Sequence, residues 1–150
     1  MQPLIVVAYD FGFSSGKALD WAIDVQRGLG GLPVHVVHVL NPVPLVGAEA
    51  VDPALSEEEV AAVREELKRA VRDHGVAATS EVVVAQFTGE AILEVARRLN
   101  ANLIVVGAHG RGSLRRVALG SVAEYVVRHA ACPVVTVRGE PLHEQPARAA

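Results

Sequence analysis

The chain has 150 residues, which suits one domain with a sizeable core. It is 51% apolar but only 4% aromatic, so the core must be built from Val, Leu, Ile and Ala, and a net charge of −3 gives no basic surplus of the kind that marks a nucleic-acid partner. A single cysteine, Cys132, excludes a disulfide within the chain, and no apolar run is long enough to span a bilayer. The opening "MQPLIVVAYD" lacks the basic and long apolar regions of a signal peptide. The expectation is a cytoplasmic protein with neither nucleic acid nor membrane as a partner.

In chain order, "LIVVAY" (4–9) reads as a first buried strand that ends at Asp10. Ser14 or Ser15 is a candidate cap for a helix carrying Ala18, Leu19, Ala22 and Ile23 inward, stopped by "GLGG" (28–31). "VHVVHVL" (34–40) is strand two. Residues 41–55 hold three prolines and show no period, which predicts a long loop. Ser56 and Glu59 form a capping box before a helix with Val60, Val63, Leu67, Ala70 and Val71 on one stripe and Glu65–Arg69 paired on the other face. "SEVVVA" (80–85) is strand three. Thr88 opens helix three, with Ile92, Val95, Ala96 and Leu99 inward, and "LIVVG" (103–107) is strand four. Ser121 and Glu124 read as a second capping box, and "VVTVR" (134–138) as the last strand. The predicted domain is residues 1–138, followed by a flexible tail, 139–150.

Strict β-α alternation predicts an α/β fold with a parallel sheet covered by helices on both faces. The strand orders 2-1-3-4-5 and 3-2-1-4-5 are both open. Ligands of such sheets bind beyond the carboxyl ends of the strands, where the winding reverses. For the order 3-2-1-4-5 that point lies between strands one and four, beside Asp10 and "GAHGRGSLRRVALGS" (107–121).

This glycine-rich stretch has the composition of an anion cradle. Glycine lets a ligand approach the backbone, consecutive N–H groups form a nest, and Ser121 heads a helix whose N-terminus favours phosphate. A turn with solvated arginines, Arg111, Arg115 and Arg116, is the competing reading. The spacing is neither G-x-x-x-x-G-K-[ST] nor G-x-G-x-x-G, so neither of those two phosphate loops accounts for it. Asp10 either accepts from ribose hydroxyls, approaches a metal near phosphates, or only stabilises its turn with Gly12. Val39 offers an apolar wall. His35 and His38 lie three apart in a strand, face opposite sides and cannot chelate one metal. Cys132 reads as a packed thiol and Trp21 as a helix packing residue. No nucleophile elbow and no carboxylate pair for acid–base work is evident.

Gly107-x2-Gly110-x9-Gly120-Ser121 resembles the G-x2-G-x9-G-[ST] ATP-binding signature of the universal stress protein family. The resemblance covers about residues 3–138 and includes Asp10, His38-Val39 and the "CPVVTVR" ending. It implies a Rossmann-like domain of the adenine nucleotide alpha hydrolase type, with five parallel strands in the order 3-2-1-4-5. It also implies ATP with Mg2+ or Mn2+, and a homodimer paired through residues 133–138. Carried over, Asp10 meets the ribose or its metal environment, and Ala8 and Val39 lie by the adenine or ribose. Gly107, His109, Gly110, Arg111 and Gly112 wrap the phosphates; Gly120, Ser121 and Val122 complete the cradle.

Two positions depart from the family pattern: Gly12 replaces a small polar residue, and Gln86-Phe87-Thr88 stands where G-x-P is common. The expected function is that of an ATP-binding stress or signalling regulator with no catalytic residues. The competing readings are a slow ATPase or phosphotransferase, for which only Asp10 and His109 are candidates, and a dimeric adaptor that does not use nucleotide.

Overall fold

The computed structural model describes residues 3–42, 55–75, 77–110 and 119–139. The elements alternate in chain order: β1 (Ile5–Ala8), α1 (Phe13–Gly28), β2 (Val34–Leu40), α2 (Glu57–Asp73), β3 (Thr79–Val84), α3 (Thr88–Arg98), β4 (Leu103–Gly107), α4 (Ser121–His129) and β5 (Val134–Val137). Every strand pair is parallel and the order is β3-β2-β1-β4-β5. Of the two orders that alternation left open, this is the one the glycine signature implied.

Valine-rich strands suit this sheet because both faces are covered. Along β1, Ile5 and Val7 face α1 and α2, whereas Val6 faces α3 and α4. The registers Val6↔His35 and Val6↔Ile104 carry the alternation across, so Val34, Val36 and Val105 join the first face and Val37, Val39, Ile104 and Val106 the second. The two cores are almost wholly aliphatic, with Leu19 and Leu67 fully buried on one side and Ile92 and Val126 on the other. Each such side chain contributes about 1.5–3 kcal/mol when withdrawn from water.

Local rules succeed at the start of α2 and fail at the starts of α1 and α4. At α2 the capping box forms: the Ser56 hydroxyl accepts from Glu59 N at 3.2 Å, and the Glu59 carboxylate accepts from Ser56 N at 2.7 Å. The stripe is narrower than predicted, since only Leu67 and Val71 are buried and Val60, Val63 and Ala70 are half-buried. Glu65 pairs with Lys68 at 2.8 Å, one residue nearer than the expected Arg69. At α1 neither Ser14 nor Ser15 caps the helix: the N-cap is Gly12, with no side-chain bond, because the Ser15 hydroxyl turns to Asp10. At α4 the second capping box is absent. Gly120 is the N-cap, Ser121 already lies within the helix, and Glu124 reaches forward to Arg128 at 2.9 Å. Trp21 is at the surface margin, 36% exposed.

The predicted long loop falls almost wholly outside the described residues, as does the tail beyond Gly139.

Candidate functional site

α1 and α2 cover one face and α3 and α4 the other, so the winding reverses between the neighbouring strands β1 and β4. A crevice of about 550 Å³ opens at their carboxyl ends. That volume lies within the usual range for a small-molecule site. The predicted site residues Ala8, Asp10, Val39, Gly107, His109, Gly110, Gly120, Ser121 and Val122 all line it. Arg111 and Gly112, and with them Arg115 and Arg116, lie outside the described residues.

The floor at β1 is a tight turn. Asp10 Oδ1 accepts from Gly12 N at 2.8 Å and from the Ser15 hydroxyl at 2.7 Å, and Asp10 N donates to the same hydroxyl at 3.1 Å. Ser15 is 3% exposed. The carboxylate is thus fixed in orientation by the first turn of α1. Asp10 does stabilise its turn, as the simpler reading held, and it lines the crevice as well. The residue with left-handed backbone here is Phe11, φ 61°, and not Gly12, φ −86°. A bulky residue in that region carries strain of order 1–2 kcal/mol. Phe11 is clamped by edge-on contacts with Tyr9 and His38, at centroid distances of 5.2 and 4.9 Å. His38 Nδ1 lies 2.8 Å from the Tyr9 carbonyl oxygen, which can only accept, so Nδ1 carries the proton. Burial pushes the Tyr9 phenol above its ordinary range, with Asp10, Asp20 and Glu66 adding to the effect, so the hydroxyl stays neutral.

The opposite wall is built from β4 and α4. Gly120 N donates to the Ala108 carbonyl at 2.6 Å, folding the start of α4 against the glycine stretch. A Cβ at Gly120 would come within 3.3 Å of that carbonyl oxygen and 3.4 Å of Gly110 N. His109 lines the crevice, and its buried Nδ1 has no hydrogen-bond partner among the described residues. An unpaired buried polar atom costs about 1–3 kcal/mol, a deficit that a ligand atom can remove. The third wall joins β2 to α3. Asn41 Nδ2 donates to the Ala85 carbonyl at 2.7 Å and to Thr88 Oγ1 at 3.2 Å.

Three helices, α1, α3 and α4, begin beside this crevice, and their N-caps, Gly12, Phe87 and Gly120, make no side-chain cap bond. Helix α2, which starts after the long loop, has the full capping box. No N-cap side chain is spent on these three helix starts, whose positive dipole ends attract anions. Sequence reasoning missed Tyr9, Ser15, Asn41 and Thr88 as lining residues. The signal for Thr88 was its place at the start of α3; Ser15 was misread as a cap.

Among the described residues no group of three or more His, Cys, Asp or Glu side chains could hold a metal ion. No helix among them is long and apolar enough to cross a membrane. Cys132 lines a separate cavity of about 250 Å³ near the amino end of β4, together with His129 and Asn100. Burial pushes its thiol up, so it is a poor nucleophile.

Comparison with known proteins agrees with the geometry. Residues 3–138 match the family model described as the universal stress protein family. A universal stress protein of Thermus aquaticus is 34% identical over 141 residues, which cover 92% of this chain and 100% of that one. Among solved structures, UspA from Lactobacillus plantarum superposes with a TM-score of 0.75 at 25% identity, over 91% of this chain and 98% of that one. A universal stress protein from Archaeoglobus fulgidus, solved in complex with dAMP, has a TM-score of 0.64 at 26% identity, again over 91% and 98% of the two chains.

Proposed function

Since the chain belongs to the universal stress protein family, we propose that it binds an adenine nucleotide, ATP, in the crevice between β1 and β4 and acts as a nucleotide-dependent regulator rather than a catalyst. The observation that carries this reading is the set of three helix N-termini, uncapped by side chains, around a cavity of ligand size. Such ends bind phosphate through backbone N–H groups and the helix dipole. The buried His109 Nδ1, unpartnered among the described residues, suits a phosphate or ribose oxygen. The Archaeoglobus relative bound to dAMP supports an adenine nucleotide as the ligand class.

In this reading Ala8 and Val39 flank the base and ribose, and Asp10 takes the ribose hydroxyls or the ion that accompanies the phosphates. Gly107, His109, Gly110, Arg111, Gly112, Gly120, Ser121 and Val122 surround the phosphate chain. Asp10 is the candidate protein contact for Mg2+ or Mn2+, which would arrive with the phosphates. Among the described residues the site offers no positioned base beyond Asp10 and His109, which favours a sensor over an ATPase. β5 is an edge strand whose Val134, Val135 and Val137 are half-buried, a surface suited to pairing with a second copy in the cytoplasm.

The test is the nucleotide that co-purifies with the protein, identified by mass spectrometry after denaturation, with calorimetry of added ATP. Gly110→Val should abolish or greatly weaken ATP binding, since a side chain there obstructs approach to the backbone. Wild-type protein that neither carries nor takes up adenine nucleotide would leave the adaptor reading standing instead.

A further inference from the structure

A second cavity of about 420 Å³ adjoins the crevice, and Thr88, Ser121 and Val122 line both. It lies between the starts of α3 and α4. Its outer wall carries two large exposed rings, Phe87 at 67% and Tyr125 at 40% exposure. The Tyr125 ring is held in place. It sits on Gly89, where a Cβ would stand 2.6 Å from the ring, and it stacks on His129 at a centroid distance of 4.2 Å. A ring fixed before binding loses little freedom when a ligand packs on it.

The charge of this groove separates it from the crevice. Glu90 is the one carboxylate in its wall, and no Lys or Arg lines it among the described residues. Among the described residues, further phosphates there would meet the Glu90 carboxylate with no lysine or arginine beside it. A neutral planar group with amino or hydroxyl donors fits instead: the aromatic rings supply stacking faces and Glu90 an acceptor.

We propose that this groove receives the second nucleoside of a dinucleoside polyphosphate whose first nucleotide occupies the crevice, the phosphate chain crossing the shared wall at Ser121 and Val122. This assignment rests on the nucleotide reading of the crevice and extends it to a ligand class.

Calorimetry with ATP and with diadenosine tetraphosphate, on the full chain and on Phe87→Ala, tests it. Stacking on an aromatic side chain is worth on the order of tenfold in affinity. The dinucleotide should therefore bind about tenfold more tightly than ATP. Phe87→Ala should lower its affinity to about that of ATP, with a clearly smaller loss for ATP itself. Phe87→Leu, which keeps the bulk and loses the ring, should behave like Phe87→Ala; it serves as the second variant should the alanine protein melt early. Equal affinities for the two ligands, or an equal loss of both on substitution at Phe87, would overturn the groove assignment while leaving the crevice reading intact. Binding of neither ligand would overturn both.

Discussion

A Cβ placed on Gly107 would stand 2.8 Å from the carbonyl carbon and the Cβ of Ser14. Gly139, after β5, meets the same residue: its Cβ would lie 2.7 Å from Ser14 Cα. The first turn of α1 is therefore seated in a notch made by two side-chain-free positions at the ends of β4 and β5. The first glycine of the signature is required by packing, whatever it does for a ligand. Because backbone atoms block the added methyl, Gly107→Ala should destabilise the fold by about 1–3 kcal/mol, read from urea unfolding without nucleotide. A variant as stable as the wild type would show that the notch can open.

The two Ser-x-x-Glu sequences should respond differently to the same substitution. Ser56→Ala removes an observed cap and should cost about 1 kcal/mol. Ser121→Ala removes none and should leave stability within about 0.5 kcal/mol, while weakening ATP binding if its hydroxyl faces phosphate. The Ser56 effect should also depend on pH. Hydrogen bonds from Ser56 hold the Glu59 carboxyl below its ordinary range. A depressed carboxyl contributes stability above its unfolded pKa and loses it as pH falls through the lower folded value. The larger cause, the Ser56 backbone N–H, survives in Ser56→Ala, so the gap between the two proteins should narrow in acid only by the part that the hydroxyl contributes. A constant gap from neutral to acid pH would assign it to the serine alone.

The sheet was legible because each strand is a short valine-rich run closed by a turn signal, and strict alternation leaves few topologies. Strand order was not settled by periodicity, since alternation fits two orders; only the family resemblance that the glycine spacing carries implied the observed one. The local failures share one physical cause. Ser15 has a cap's composition, but tertiary contact offers its hydroxyl the Asp10 carboxylate instead. Gly12 looked like the residue of the sharp turn, yet the left-handed backbone falls on Phe11, where ring contacts with Tyr9 and His38 offset the strain. Asn41 and Thr88 are 47 residues apart, and only strand pairing brings them to one wall. The missing side-chain caps at α1, α3 and α4 are likewise visible only once the helix starts are fixed.

Cys132 shares a cavity with His129, a pairing that in other settings activates a thiol. Here His129 Nδ1 lies 2.8 Å from the Tyr125 carbonyl and burial raises the thiol pKa, leaving little thiolate near neutral pH. Alkylation by iodoacetamide at pH 7.5 should run at least several-fold slower than for a free cysteine, and accelerate well above the ordinary thiol range. Intact-mass spectrometry follows the reaction directly. Labelling as fast as free cysteine would mean that the thiolate is stabilised after all.

The Asp10–Ser15 pair separates the structural from the ligand-binding role of the carboxylate. Ser15→Ala removes the buried hydroxyl that orients Asp10 Oδ1 and accepts from Asp10 N. Losing these hydrogen bonds of the buried Ser15 hydroxyl should cost about 1–3 kcal/mol of stability. Asp10→Asn keeps an acceptor oxygen for Gly12 N and Ser15 while removing the charge, so its stability loss should be smaller than that of Ser15→Ala. Its effect on the ligand should depend on metal. If Asp10 meets an ion carried by the phosphates, the loss of ATP affinity in Asp10→Asn should be roughly tenfold or more with Mg2+ present and small in EDTA. An equal loss in both conditions would place the carboxylate on the ribose hydroxyls instead, and no loss in either would confine Asp10 to its turn.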